Sequence, residues 1–157
     1  MSRINRSLVF GGVTAAAIGF SVGLLGLETR SVVRAADIKV SDPTSIGMIV
    51  NRDSNDISYM DIKTQKIIGR TFLGNNVNPH MVMMSPDGKY IVTGGTRANK
   101  AYIIDSHTLE LVKVIPVDIA PEHLGFSPDS RWYYQGNPEG DSFSVIDMQS
   151  LTKIKCV

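Results

Sequence analysis

An internal repeat constrains this chain more than any other feature. Residues 79–115 and 121–157 align without a gap at an offset of 42. Pro79 falls on Pro121, Ser85-Pro86-Asp87 on Ser127-Pro128-Asp129, Gly94 on Gly136, Ile104-Asp105 on Ile146-Asp147, Leu109 on Leu151 and Lys113 on Lys155. Tyr90/Trp132, Ile103/Val145 and Val112/Ile154 keep their character. A weaker earlier copy runs through Ile57–Asp61, which matches Ala101–Asp105 and needs two extra residues before Pro79. A period of about 40–45 residues leaves few architectures. Helical repeats of that length need long amphipathic segments, whereas the apolar runs here are short, often β-branched and broken by turn formers. Each full copy reads as four strands: His80–Met84, Tyr90–Thr93, Ala101–Asp105 and Leu111–Val117. Between them lie the Ser85–Gly88 turn, a Gly94-Gly95 loop and a turn through Ser106-His107-Thr108. Pro86 presets φ at the second turn position and Gly88 supplies permissive backbone. Four short antiparallel strands per repeat describe one blade of a β-propeller, so the expected fold class is all-β.

Residues 46–157 hold a little under three such blades, whereas propellers usually close with about 4–8. Gly47–Asn51 lacks the inner strand that precedes its equivalents, and Val157 falls inside the fourth strand of the last copy. The expectation is an incomplete ring, the amino-terminal portion of a longer propeller. A short chain that completes its ring by oligomerisation is the alternative.

Residues 1–35 read as a secretory signal. Arg3 and Arg6 form a short positive head, residues 8–27 carry no charge, and Val33-Arg34-Ala35-Ala36 supplies small residues for cleavage after Ala35 or Ala36. An uncleaved anchor is the alternative, since the stretch is long enough to span a bilayer. The head arginines are not adjacent, which argues against a twin-arginine signal. Residues 36–45 are a linker to the propeller. The net charge is +1, or −2 once residues 1–35 are removed, without the basic excess of a nucleic-acid binder. Charged residues at 20% and hydrophobic residues at 43% are ordinary globular usage and argue against disorder. A single cysteine excludes an internal disulfide framework, a four-cysteine zinc site and a Cys-x-x-Cys-His haem attachment.

Candidate chemistry is sparse. His80 and Glu122 share a repeat position at the start of the innermost strand, near the mouth of the central channel, and His123 is one residue on. Imidazoles and a carboxylate there could bind a metal or haem iron, or hydrogen-bond loops and face a partner. His107 is expected in a solvated outer turn. Asp61, Asp105 and Asp147 each end a strand and read as turn caps, because the same residue recurs in every copy. Asp53, Asn55 and Asp56 form an acidic loop without the glycine and distal glutamate of an EF-hand, so ordinary turn chemistry is expected. Met60, Met81, Met83 and Met84 are read as core packing, with His80–Met84 a strand buried on both faces, and Cys156 as a small core residue. No metal site, phosphate loop or nucleophile elbow is recognisable, and catalytic residues are unknown.

The stretch Asn78-Pro79-His80-Met81-Val82-Met83-Met84-Ser85-Pro86-Asp87-Gly88-Lys89-Tyr90, with Ala101–Asp105 and Leu109–Val117, resembles the YVTN family of β-propeller repeats. His80-x-x-x-Met84-Ser85-x-x-Gly88-Lys89-Tyr90 is also similar to the haem-binding start of the propeller in cytochrome-cd type nitrite reductases. That resemblance implies a cofactor-binding role for His80 as an axial iron ligand. The export signal followed directly by the propeller, with Asn78–Gly88, is similar to the propeller subunits of hydrazine synthases from anaerobic ammonium-oxidising bacteria. This second resemblance implies a non-catalytic binding or scaffold subunit of an extracytoplasmic nitrogen-cycle redox complex. It places the chain in the periplasm or the anammoxosome, with no cofactor of its own and with haem in partner subunits. Protein partners are expected, nucleic acid is not, and the membrane is met only through the export signal. A free periplasmic binding protein is a third expectation.

Overall fold

The computed structural model describes residues 38–157. The signal segment expected at residues 1–35 lies outside the described residues. No helix among the described residues is long and apolar enough to cross a membrane.

Eleven strands follow one another: β1 (Ile46–Asn51), β2 (Asp56–Asp61), β3 (Lys66–Phe72), β4 (Pro79–Met84), β5 (Tyr90–Gly95), β6 (Lys100–Asp105), β7 (Leu111–Pro116), β8 (His123–Phe126), β9 (Trp132–Asn137), β10 (Ser142–Asp147) and β11 (Thr152–Cys156). They form a three-stranded sheet β1-β2-β3 and four-stranded sheets β4-β5-β6-β7 and β8-β9-β10-β11. Every pairing is antiparallel. The fold is therefore all-β, with blades of the expected composition in an incomplete ring. Among the described residues the first sheet has no inner strand, as the repeat alignment anticipates.

The repeat is written into the backbone as well as the residues. Left-handed φ recurs at Asn55, Asn99 and Asp141, at Gln65, Leu109 and Leu151, and at Gly88 and Ser130. These are the same hairpin positions in successive blades. A bulge between the third strand and the outer strand also recurs, at Tyr59/Met60, Ile103/Ile104 and Val145/Ile146. Each Ser-Pro-Asp turn closes in one way. The Ser85 and Ser127 hydroxyls donate to Asp87 (2.6 Å) and Asp129 (2.5 Å), and accept from the amides of Tyr90 (3.0 Å) and Trp132 (2.9 Å).

Period-2 alternation on the middle blade builds two cores rather than one. On β6, Tyr102 and Ile104 enter the cluster with Ile57 and Tyr59 of the first sheet and Leu73 just after it. Ala101 and Ile103 enter the cluster with Tyr133 and Ile146 of the third and with Met148 in the turn after β10. The middle blade is thus buried on both faces, which the continuous apolar run Ala101–Ile104 requires.

Three expectations are corrected here. Gly94 and Gly95 are not a loop; they complete β5, opposite Ala101 and Lys100. They are buried, and a Cβ on Gly95 would lie 2.6 Å from Val77 Cγ1, so bare backbone is needed for packing rather than for a turn. Strand β4 is not buried on both faces. Met81 is 40% exposed and Met83 and Met84 are half-buried, because β4 is the inner edge of its sheet. Cys156 is exposed. It takes the repeat position of Val114, which is itself exposed, since both sit on outermost strands.

Residues 38–45, expected as a linker, are fixed to the blades. The Val40 amide donates to the His107 carbonyl (2.7 Å) and the Val40 carbonyl pairs with His107 Nδ1 (2.8 Å). The exposed outer turn expected for His107 is therefore also a tether. Val40 is buried in the first core and Ile38 packs against it. A 3-10 turn at Pro43–Ser45 follows, capped by Asp42.

Tyr59 predicts an alkaline transition. It is fully buried, and its hydroxyl donates to Thr71 Oγ1 (3.0 Å), whose hydroxyl in turn donates to the Leu109 carbonyl. Burial pushes the phenol up to about 12; the Thr71 bond opposes this and the Asp56 charge adds to it. Burial also raises Tyr133 well above the usual tyrosine value. A folded chain holds these protons where an unfolded one releases them. Stability is therefore complete below pH ~10 and lost between about 10 and 12, by on the order of 2–3 kcal/mol for Tyr59. Urea midpoints should fall over that window in the parent, less in Tyr59→Phe, and least in the Tyr59→Phe/Tyr133→Phe double variant. Equal slopes in all three would sink the assignment.

Candidate functional site at the mouth of the inner strands

The inner strands β4 and β8 each form one edge of their sheets and approach one another. His80 is the second residue of β4 and His123 opens β8; both are exposed, while Glu122 is half-buried. The Glu122 amide donates to the Gly136 carbonyl (3.0 Å). Position 81 of one blade corresponds to 123 of the next, and both carbonyls are held by a side chain from the neighbouring strand. Thr93 Oγ1 donates to the Met81 carbonyl (2.6 Å), and Gln135 Nε2 donates to the His123 carbonyl (3.0 Å). Gln135 has no exposure, and its Oε1 accepts from the Tyr133 hydroxyl. These ties fix the backbone beside each histidine while leaving its ring free to meet a ligand. His80 and His123 stand one repeat position apart, so the repeat does not stack the two imidazoles. Among the described residues, no three His, Cys, Asp or Glu side chains converge as a metal site would need.

The loops at this mouth are organised by Asn99, which sequence reasoning missed, and by Asn55, which it read only as a turn residue. Asn55 Oδ1 accepts from the amides of Val77 (2.8 Å) and Asn78 (2.9 Å), and Asn99 Oδ1 accepts from Ala120 (3.1 Å). Each hooks the turn after a blade's second strand position to the segment leading into the next blade. The available signal was their 44-residue spacing, matching that of Ile57 and Ala101. Arg52 Nη2 donates to Asn78 Oδ1 (3.1 Å), which holds a guanidinium beside the approach to His80. Asp56 accepts from Asn51 Nδ2 (2.6 Å) and pairs with Arg70 (3.8 Å). The acidic loop Asp53-Asn55-Asp56 is therefore turn and hairpin chemistry.

The strand-ending aspartates are turn caps. Asp61 accepts from the Thr64 amide (2.6 Å), Asp105 from those of His107 (2.9 Å) and Thr108 (2.8 Å), and Asp147 from that of Gln149 (2.8 Å). The Thr64 amide and hydroxyl hold Asp61 below the usual carboxylate range. For Asp147, burial works in the other direction and is outweighed by the Gln149 and Ser150 amides and by Arg131, which pairs with it at 3.0 Å.

Antiparallel blades in register, joined face to face through shared cores, define part of a β-propeller. Its family follows from the sequence match: the family model of the cytochrome D1 heme domain matches residues 26–131, and the chain belongs to that family. No curated protein matches the chain. Among solved structures it is similar to Kuenenia stuttgartiensis hydrazine synthase, with a TM-score of 0.68, 22% identity, and 83% of this chain and 39% of that chain covered. It is similar to the dihydro-heme d1 dehydrogenase NirN in complex with DHE, with a TM-score of 0.65, 19% identity, and 75% of this chain and 25% of that chain covered. It is also similar to U3-55K, with a TM-score of 0.66, 15% identity, and 77% of this chain and 39% of that chain covered. At these identities the likeness is one of fold, and the chain spans about two fifths or less of each of these structures.

The group that the family name brings to mind is a haem. His80 fits it in part: an exposed imidazole can ligate iron, and the nearby Arg52 guanidinium suits a carboxylate.

Proposed function

We propose that this chain is a binding and scaffold propeller of an extracytoplasmic nitrogen-cycle redox complex of the hydrazine synthase kind, contacting haem-bearing partners and carrying out no bond chemistry itself. The observation that carries this reading is the likeness to hydrazine synthase over 83% of the chain. The rigid stacked blades support it, since such surfaces act through shape and buried area. The second reading rests on the family match. In it His80 holds a haem iron at the channel mouth, Arg52 faces the macrocycle's carboxylates, and the haem supplies electron-transfer chemistry.

An absorption spectrum of the purified full-length chain separates the two. The scaffold reading expects a colourless chain that co-purifies with haem-bearing subunits. An intrinsic Soret band that vanishes in His80→Ala would overturn it in favour of the haem reading. Because His80 is exposed, that substitution should shift stability by no more than about 0.5 kcal/mol, so a lost band would report ligation rather than unfolding.

A further inference from the structure

Charge is segregated in this propeller. The outer strands β3, β7 and β11 carry Lys66, Arg70, Lys113, Lys153 and Lys155, all exposed, and not one carboxylate. The described residues as a whole hold 12 basic and 13 acidic side chains, so those outside the outer strands number 7 basic and 13 acidic, Glu110 and Asp118 at the two ends of β7 among them. The same strands present Ile67, Phe72, Leu111, Val112, Val114 and Ile154, half of the large apolar side chains the described residues expose. Each outer strand is also the last in its sheet, leaving one row of backbone N–H and C=O groups without a strand partner. Lysines alone would read as protection against edge pairing. On β7, however, one lysine stands among three exposed aliphatics, Leu111 (37%), Val112 (44%) and Val114 (36%), which a merely protected edge would avoid. Strand β11 approaches β7, and its Lys153, paired with Ile146 on the face toward the second blade and close enough to Asp118 to join the Ser142 hydroxyl in holding its carboxyl down, is the cation on that flank; Lys155 pairs with Val145 on the other face.

We propose that β7, flanked by Lys153 of β11, is a docking edge for an extended, carboxylate-rich segment of a partner protein. This rests on the scaffold reading and specifies the partner's chemistry. The added segment would satisfy the open row of backbone groups, bury alternate aliphatics, and set its carboxylates against Lys113 and Lys153, with Lys155 adding to the field at longer range. An anionic membrane would share the attraction to cations and apolar groups. An open sheet edge does not enter hydrocarbon, because its backbone groups find no partners there, and this favours a polypeptide.

The test uses the full chain and a fluorescein-labelled peptide of alternating Glu and Val, read by anisotropy. Saturable binding is expected, weakened at least ~10-fold in K113E/K153E/K155E and by raising salt from about 20 to 200 mM. An alternating Lys-Val peptide should not bind. Absence of saturable binding, equal affinity in the charge-reversed variant, or equal binding of the Lys-Val peptide would overturn the proposal. So would sedimentation of the chain with phosphatidylglycerol vesicles that outcompete the peptide. If the triple variant fails to melt like the parent, Val112→Asn replaces it, with weaker binding expected and unchanged affinity counting against the edge. The scaffold reading is decided separately by the haem spectrum, so the two can fail independently.

Discussion

Truncating Ile103 to alanine should destabilise the chain by about 2–5 kcal/mol, the range for a large aliphatic removed from a packed core. Ile103 has no exposure and sits in the cluster that joins β5, β6 and β7 to Tyr133 and Ile146 of the next blade. Both walls of the resulting cavity are hydrogen-bonded sheets, which cannot collapse into it without breaking ladder bonds. A matched truncation on the rim, Val112→Ala, removes a side chain that is already 44% exposed and should cost under about 0.5 kcal/mol. Urea unfolding of both variants gives the comparison. Similar losses at the two sites would mean that the blades are not stacked through these faces.

Gly94→Ala should be the more informative change. A Cβ there would lie 2.6 Å from the Pro121 carbonyl and 2.9 Å from the Gln135 side-chain amide. The carbonyl is main chain of the segment leading into β8 and has no rotamer to escape into. The same Gln135 donates to the His123 carbonyl, so the added methyl should disturb the histidine at the mouth together with the seam between blades. A cost of about 1–3 kcal/mol is expected for such overpacking. At the corresponding position of the next repeat, a Cβ on Gly136 would be 3.0 Å from the His123 Cβ. That contact lies within one sheet and can give by a few tenths of an ångström, so Gly136→Ala should cost less. A neutral Gly94→Ala would remove the close approach of linker and strand from the account.

The architecture was legible because its determinants are local and repeated. The Ser-Pro-Asp turns, the strand-ending aspartates and the alternation on Ala101–Ile104 each fix geometry within a few residues. What escaped depends on neighbours distant in sequence. Gly94-Gly95 carries the composition of a loop; pairing with Ala101 and Lys100 makes it strand, and the packing of Val77 and Pro121 against it is what requires glycine. Cys156 has the residue type of a core position, whereas its exposure is set by standing on an outermost strand. Asn55 and Asn99 look like ordinary turn residues until the amides they hold, more than 20 positions away, are in view. The candidate site was legible as a place: His80, Glu122 and His123 do lie at the start of the inner strands. Gln135 and Thr93, which secure the backbone there, gave no sign beyond sharing a repeat position.

The tether at the beginning of the described residues has a mechanical consequence. Ile38 and Val40 are lodged against the first core while Val40 is bonded to the His107 turn of the second blade. Traction on the polypeptide ahead of Ile38 would therefore be carried in shear by two blades at once, instead of peeling β1 away bond by bond.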